Sequence, residues 1–440
     1  WCGRSGTAGP MRLNSVIAGA TVATLFSTGF LWRLPEFDLF LHYAAIPPLL
    51  LLGLLLSGGA VSRELLLLFA ALLLHSLWSA ALSGNAPGAA LQQLLGFGAT
   101  LAVFDYAFRI NGFDCEKLFR IYLRAAVVVC GIGLVQALCF GLGIPPGYDF
   151  GWLIPGHAPA LNQMGLLRVQ SVMLEPAHFG IVISPAILVA VHDLTGRGAR
   201  FLSRRQSAAV LLAAVLSFSA VAYVAILAAL LLVGLRRGAL RGLLLGAVAL
   251  GAALLAYAAL PDIRMRADDM LALLLHQSVA TANWSSLTLY NNAVVAWRSL
   301  LDTNLLGGGL GSHPASFARF SALFGESDIP LRYALLNSAD AGALLLRIAS
   351  ELGLPGLIAA GAFLVRYHVP FVRQQVSGGG RQDWLISDAA LVFFAVALLR
   401  QGHYFNYGLP FFGLLYLHAG RARRAATAGH GLPAAGERTA

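Results

Sequence analysis

Runs of roughly twenty apolar residues, one after another with short arginine-bearing breaks between them, leave this chain few ways to fold. Leu39 to Leu56, Leu65 to Leu82 and Leu91 to Phe108 are almost free of charge. Only a helix or a closed barrel satisfies its backbone polar groups in lipid, and runs of this length fit helices. Hydrophobic residues make up 58% of the 440 residues and charged ones 11%, outside the usual soluble range. The expectation is an all-α polytopic membrane protein of about 11–12 transmembrane helices, one of them a short hairpin, with a large helical loop on the outer side.

A net charge of +10 raises the question of nucleic acid, and the placement of the charge answers it. Every basic residue but Lys117 is an arginine, and most sit in short clusters between apolar runs, as in the cytoplasmic loops of a membrane protein. The expected partner is therefore a bilayer and not nucleic acid. Cys2, Cys115, Cys130 and Cys139 suggest no disulfide framework, and no metal-ligand spacing appears, so neither metal nor cofactor is expected. Residues 1–10 read as upstream sequence before Met11 and stay outside the fold argument.

Taken in order, residues 11–260 form the N-terminal part of the membrane domain, 261–341 the outer loop, 342–420 the C-terminal spans and 421–440 a basic inner tail. The basic clusters put the N-terminus inside and a Pro-, Gly- and aromatic-rich loop, 143–171, outside. The run 207–235 is flanked by arginines on both sides, which one span cannot satisfy. At about 1.5 Å per residue it is too short for two crossings of a roughly 30 Å core. A hairpin bent near Ser217-Phe218-Ser219 is expected. Ala341 to Val365 reads as one span. No internal repeat is visible, which weighs against repeat-built transporters.

The ionisable residues that are costly near a membrane gather on the outer side of this topology: Arg168, Glu175, His178, Arg298, His313, Arg347, Arg400 and His403. Each alone could snorkel or pair structurally. Glu175 precedes Pro176 and reads as a helix N-cap, either an ordinary cap or a carboxylate able to take a proton from a sugar hydroxyl. Tyr290, Val294, Trp297 and Leu301 recur at helical spacing, so a helix over about 286–302 should lay that stripe against the membrane domain, with Arg298 at its edge. Arg347 and Glu351, four apart, suit an internal ion pair. The run Asn304-Leu-Leu-Gly307-Gly308-Gly309-Leu-Gly311-Ser-His313 is either a plain turn or a loop whose N–H groups face an anion.

Arg168, then Glu175-Pro176, then the glycine run ending at His313, then Ile348-Ala-Ser-Glu351-Leu-Gly353-Leu-Pro-Gly356 together resemble the Wzy-type polysaccharide polymerase and O-antigen ligase superfamily. The resemblance covers roughly Leu91 to Leu417 and is nearest to exopolysaccharide repeat-unit polymerases. An Arg-x10-Gly pattern of those polymerases matches Arg298 to Gly309, whereas Arg168 to Gly180 is one residue too long. Ligases typically carry a His-Asn pair late in the long loop; here that place reads Asn337-Ser-Ala-Asp340, which favours the polymerase branch.

The resemblance implies a metal-independent glycosyltransferase of the bacterial inner membrane that polymerises undecaprenyl-diphosphate-linked repeat units into exopolysaccharide or O-antigen at the periplasmic face. A chain-length regulator and export machinery are the implied partners. Under it, Arg298 and Arg168 would stabilise the leaving diphosphate, and Glu175 or His313 would activate the acceptor. His178, the glycine run, Arg347, Arg400 and His403 would line the substrate. The alternatives are an O-antigen ligase and a lipid-linked oligosaccharide flippase or other transporter.

Overall fold

The computed structural model describes residues 8–33, 38–83, 85, 87–196, 200–259, 261–275, 283–321, 335–370, 382–406 and 408–429. Of the expected outer loop, residues 276–282 and 322–334 lie outside the described residues, as do residues 1–7 and 430–440 at the two ends. The chain is all-α apart from two short antiparallel ribbons, β1 (Leu31–Arg33) with β2 (Asp38–Phe40) and β3 (Ala160–Leu161) with β4 (Leu167–Arg168). Helix α1 (Ala8–Ala23) begins within the segment set aside as upstream sequence.

Five described helices are long and apolar enough to cross a membrane: α3 (Arg63–Ser83), α4 (Pro87–Ile110), α5 (Cys115–Gly141), α6 (Pro176–Thr195) and α8 (Ala220–Arg237). A sixth candidate is the bent pair α9 (Ala239–Ala259) and α10 (Pro261–Leu274). Others expected to span are shorter or broken. Helix α2 (Leu41–Ser57) contains Pro47 and Pro48, which remove two backbone donors from its middle. The expected span Ala341–Val365 is two helices, α13 (Leu344–Glu351) and α14 (Gly353–Tyr367), parted at Leu352 with Gly353 at φ +62°. The left-handed backbone that glycine permits there ends α13.

The break expected near Ser217-Phe218-Ser219 is present. Helix α7 (Arg204–Leu216) stops there, Phe218 takes φ +44°, and α8 starts afresh. Since α8 alone is long enough to cross, the run is a short helix plus a full-length one, not two half-length arms.

Helix α6 is the axis of the bundle. It is apolar around its whole circumference, with 78% of its apolar window buried, and it packs against α7, α8 and α15 (Asp383–Arg400). The remaining elements are α11 (Trp284–Asp302), α12 (His313–Phe320) and α16 (Leu409–Gly429). Charges sort by end. One end gathers Arg109 with Asp105, Arg120 with Glu116, Arg236 with Asp388 and Arg421 with Glu64. The other gathers the start of α6, the end of α15, the start of α13 and most of the residues singled out in the sequence.

Candidate functional site

The site is built where the break between α13 and α14 meets the start of α12. Arg347 is almost fully buried; its Nε donates to Glu351 Oε1 at 3.1 Å, Nη1 donates to the Gly402 carbonyl at 2.9 Å, and its guanidinium lies 4.6 Å from the Tyr404 ring centroid. The expected i, i+4 pair is thus real and is anchored to the segment after α15. A planar fork stacked on an aromatic ring suits Arg and not Lys. The Tyr404 hydroxyl and the second Glu351 oxygen are both buried and lie in electrostatic range of one another.

His313 heads α12 and is fully buried. Its Nε2 is 3.0 Å from Asn292 Oδ1 and its Nδ1 is 2.9 Å from the Ser350 hydroxyl. Asn292 spends its Nδ2 on the Thr288 carbonyl at 2.8 Å, so its oxygen faces the ring. That fixes the ring hydrogen on Nε2 and makes Nδ1 the acceptor from Ser350. Burial, with the Arg347 charge nearby, lowers the His313 pKa to about 4. With both nitrogens engaged and the ring out of solvent, His313 is held as a neutral connector between α11, α12 and α13.

Asp340 and His403 form a second pair, with His403 Nε2 2.9 Å from Asp340 Oδ2. Burial alone would raise the Asp340 carboxyl. The His403 hydrogen bond and charge, the Gly342 N–H and Arg347 outweigh it and hold the group down at about 2. Gly402 lies so close against the Asp340 carbonyl that an added Cβ would collide with backbone. His178, one turn into α6, lies in electrostatic range of both His403 and Asp340. His42 Nε2 and the Tyr43 hydroxyl both bond Asn406 Oδ1, at 3.0 and 2.9 Å, and extend the polar network to α2.

Other expected site residues are placed differently. Glu175 occupies the N-cap position of α6 with Pro176 behind it, yet its exposed side chain makes no capping hydrogen bond. Arg168 pairs in the β3–β4 ribbon opposite Ala160 and lies in electrostatic range of Tyr223. Arg400 is half-buried at the end of α15, three residues before His403.

Two expectations are corrected. The stripe carrying Trp297 and Leu301 faces outward, at 60% and 52% exposure, and Arg298 is exposed with it. The buried face of α11 is the more polar one, with Asn291, Asn292 and Ser299, because it meets His313 and the Ser350 carbonyl, which an apolar face would leave unsatisfied. The glycine run also offers no cradle of N–H groups. Gly307 N–H donates to Thr303 Oγ1, Gly308 N–H to the Ser350 carbonyl, Gly309 N–H to the Glu351 carbonyl and Leu310 N–H to Ser76 Oγ, at 2.9, 2.9, 2.8 and 3.2 Å. Gly308 and Gly309 thereby cap the end of α13, while Gly307 and Leu310 tie the loop to the C-cap of α11 and to α3. The glycines are there because backbone meets backbone, with the Gly353 nitrogen 2.5 Å from where a Gly307 Cβ would sit.

Sequence reasoning passed over Asp340, Tyr404, Asn292 and Ser350. Asp340 carried a usable signal, as an acidic residue just before an apolar run. Asn292 carried one as well, as an amide on the helix face opposite the apolar stripe. Compared with known proteins, the chain matches no family model, no curated protein and no solved structure.

Proposed function

We propose that this chain is a glycosyltransferase of the bacterial inner membrane that polymerises lipid-diphosphate-linked oligosaccharide repeat units on the periplasmic side. The carrying observation is the convergence of a buried Arg347, the Asp340–His403 pair and His178 at the end of the bundle away from the arginine clusters. Under the positive-inside tendency, that end faces away from the cytoplasm. Counting the shorter and broken apolar helices as partial spans brings the architecture toward the about 11–12 transmembrane helices expected from the apolar runs.

In this reading a growing glycan on its polyprenyl diphosphate is the donor, and a sugar hydroxyl of a second lipid-linked unit is the acceptor. The acceptor oxygen attacks the anomeric carbon. The bond from that carbon to the diphosphate oxygen breaks, and the diphosphate leaves with the electron pair. His403 takes the hydroxyl proton: Nε2–H donated to Asp340 leaves the basic lone pair on Nδ1, and Asp340 steadies the cation that forms. Glu175, exposed at the mouth of α6, holds acceptor hydroxyls. Arg168 and Arg400 draw the diphosphate to the site, with charge held where the leaving group develops its own. Arg298, on the outer face of α11, serves at most the approach of the lipid.

The test is the length profile of lipid-linked glycan in a strain depleted of the native gene and carrying each variant. Asp340→Asn and His403→Gln should leave single repeat units while the protein accumulates in the membrane. Long chains from both would refute the assignment. Capped transport of single units by the purified protein, without chain growth, would favour the flippase reading.

A further inference from the structure

We infer that the first three turns of α5 form a binding site for an anionic phospholipid of the bilayer, at the end of the bundle opposite the polar cluster. Lys117, Arg120 and Arg124 fall at i, i+3 and i+7, so at 100° per residue they share one narrow face of the helix. The same face continues through Val128, Val135 and Leu138, which are 61%, 55% and 62% exposed. A stripe of cations therefore runs without interruption into a stripe of bare apolar side chains, matching a phosphate headgroup and the acyl chain that hangs from it.

Depth supports the same occupant. Helix α5 has 27 residues and is about 40 Å long at 1.5 Å per residue, whereas a hydrocarbon core is about 30 Å thick and a bilayer with its headgroups about 40–45 Å. Arg124, nine residues in, lies about 13 Å from the helix start; with a core of about 30 Å centred on the helix, its Cα falls about 8 Å inside the hydrocarbon, and its long side chain reaches back toward the phosphates. A charge at that depth is costly without an anion beside it.

The cations also border an open cavity of about 630 Å³ between α5 and Ser15 of α1. Two carboxylates share the lining, and both are committed. Asp114 caps the helix by accepting from the Lys117 N–H at 3.0 Å, and Glu116 takes the Arg120 guanidinium at 2.7 Å. Among the described residues, neither Lys117 nor Arg124 has a carboxylate within ion-pair distance, and three cations against two carboxylates leave the lining with a net positive charge. Ordinary snorkelling of Arg124 would bring it to the headgroups with no preference among them; a cavity with surplus positive charge predicts a preference for acidic headgroups.

The experiment is native mass spectrometry of the full-length protein released from detergent after incubation with diphosphatidylglycerol, phosphatidylglycerol, phosphatidylethanolamine or undecaprenyl phosphate. The proposal expects retained adducts of the two anionic phospholipids, with diphosphatidylglycerol strongest, and weak phosphatidylethanolamine adducts. Lys117→Gln and Arg124→Gln should each lower anionic retention about five-fold. Arg124→Lys should keep most of it, and Arg205→Gln, an exposed cation outside the cavity, should leave it unchanged. If Arg124→Gln does not insert, Lys117→Gln at the helix start carries the same test. Equal retention of acidic and zwitterionic lipids, or adducts of undecaprenyl phosphate alone, would overturn the proposal. Activity of the polar cluster is not part of the readout, so failure here leaves the catalytic reading standing.

Discussion

The N–H of Gly309 donates to the carbonyl of Glu351 at 2.8 Å, so a loop that reads as an anion cradle is the cap on a broken helix. Glu351 in turn holds Arg347 through its side chain. The glycine run therefore sets the position of the buried arginine without touching it.

Alanine at Gly307 or Gly353 places a Cβ on backbone that has nowhere to go and, since both sit at positive φ, strains the chain as well. Each variant should yield little monodisperse protein in size-exclusion chromatography. Gly251→Ala, in α9 with nothing near the added methyl, should behave as the parent or melt slightly higher. Equal behaviour of all three variants would mean the cap does not matter.

Arg347→Met leaves Glu351 buried without its cation, a loss of about 3–5 kcal/mol. Adding Glu351→Gln removes the stranded charge and should recover part of the fall in apparent melting temperature. If the double variant melts no higher than the single, the Arg347–Glu351 contact is not what the arginine supplies.

His313 is neutral in the fold because burial lowers its pKa to about 4 from 6.5. Between those values the unfolded chain binds a proton that the folded one does not, so stability rises as pH climbs from 4 to 6.5 and is level above. The span corresponds to a contribution on the order of 3 kcal/mol. Melting followed from pH 7.5 to pH 5 should fall further for the parent than for His313→Gln. Asp340 is displaced in the same direction but in its own window: with a folded value of about 2 against 3.8, its contribution is intact above pH 4 and is lost only below it.

Arg298→Lys should leave melting unchanged, because the guanidinium is exposed and its helix packs through the opposite face. It should also retain most chain growth, whereas Arg347→Lys should lose it. Loss of growth in Arg298→Lys with an unchanged melt would return the diphosphate role to Arg298.

Much of the fold was legible because it rests on length and polarity. The helix expected from about residue 286 starts at Trp284, Glu175 does stand at an N-cap position, and Arg347 does pair with Glu351. What misled was the assumption that an apolar stripe faces inward. Next to a polar interior the logic inverts: α11 buries Asn292 and exposes Trp297. The Asp340–His403 pair was illegible as a pair because its members come from the turn before α13 and the segment after α15, which meet only in the folded bundle. The broken span was half visible, since Leu-Gly-Leu-Pro-Gly carries a stop signal inside an otherwise apolar run.

The glycine cap has a consequence for how the chain is made. His75 reaches the Leu306 carbonyl at 3.0 Å, Ser76 accepts from Leu310 and Asn85 donates to Gly308, partners more than 220 residues downstream. At about 5–20 residues per second, the early helices wait on the order of 10–50 s for them. During that interval His75 and Ser76 sit within the apolar span α3, and Asn85 in the turn after it, with their partners still unsynthesised. A chain stopped before Leu306 leaves all three stranded for good, so membrane proteases that clear helices with unsatisfied polar groups would remove such truncated copies and spare the finished one.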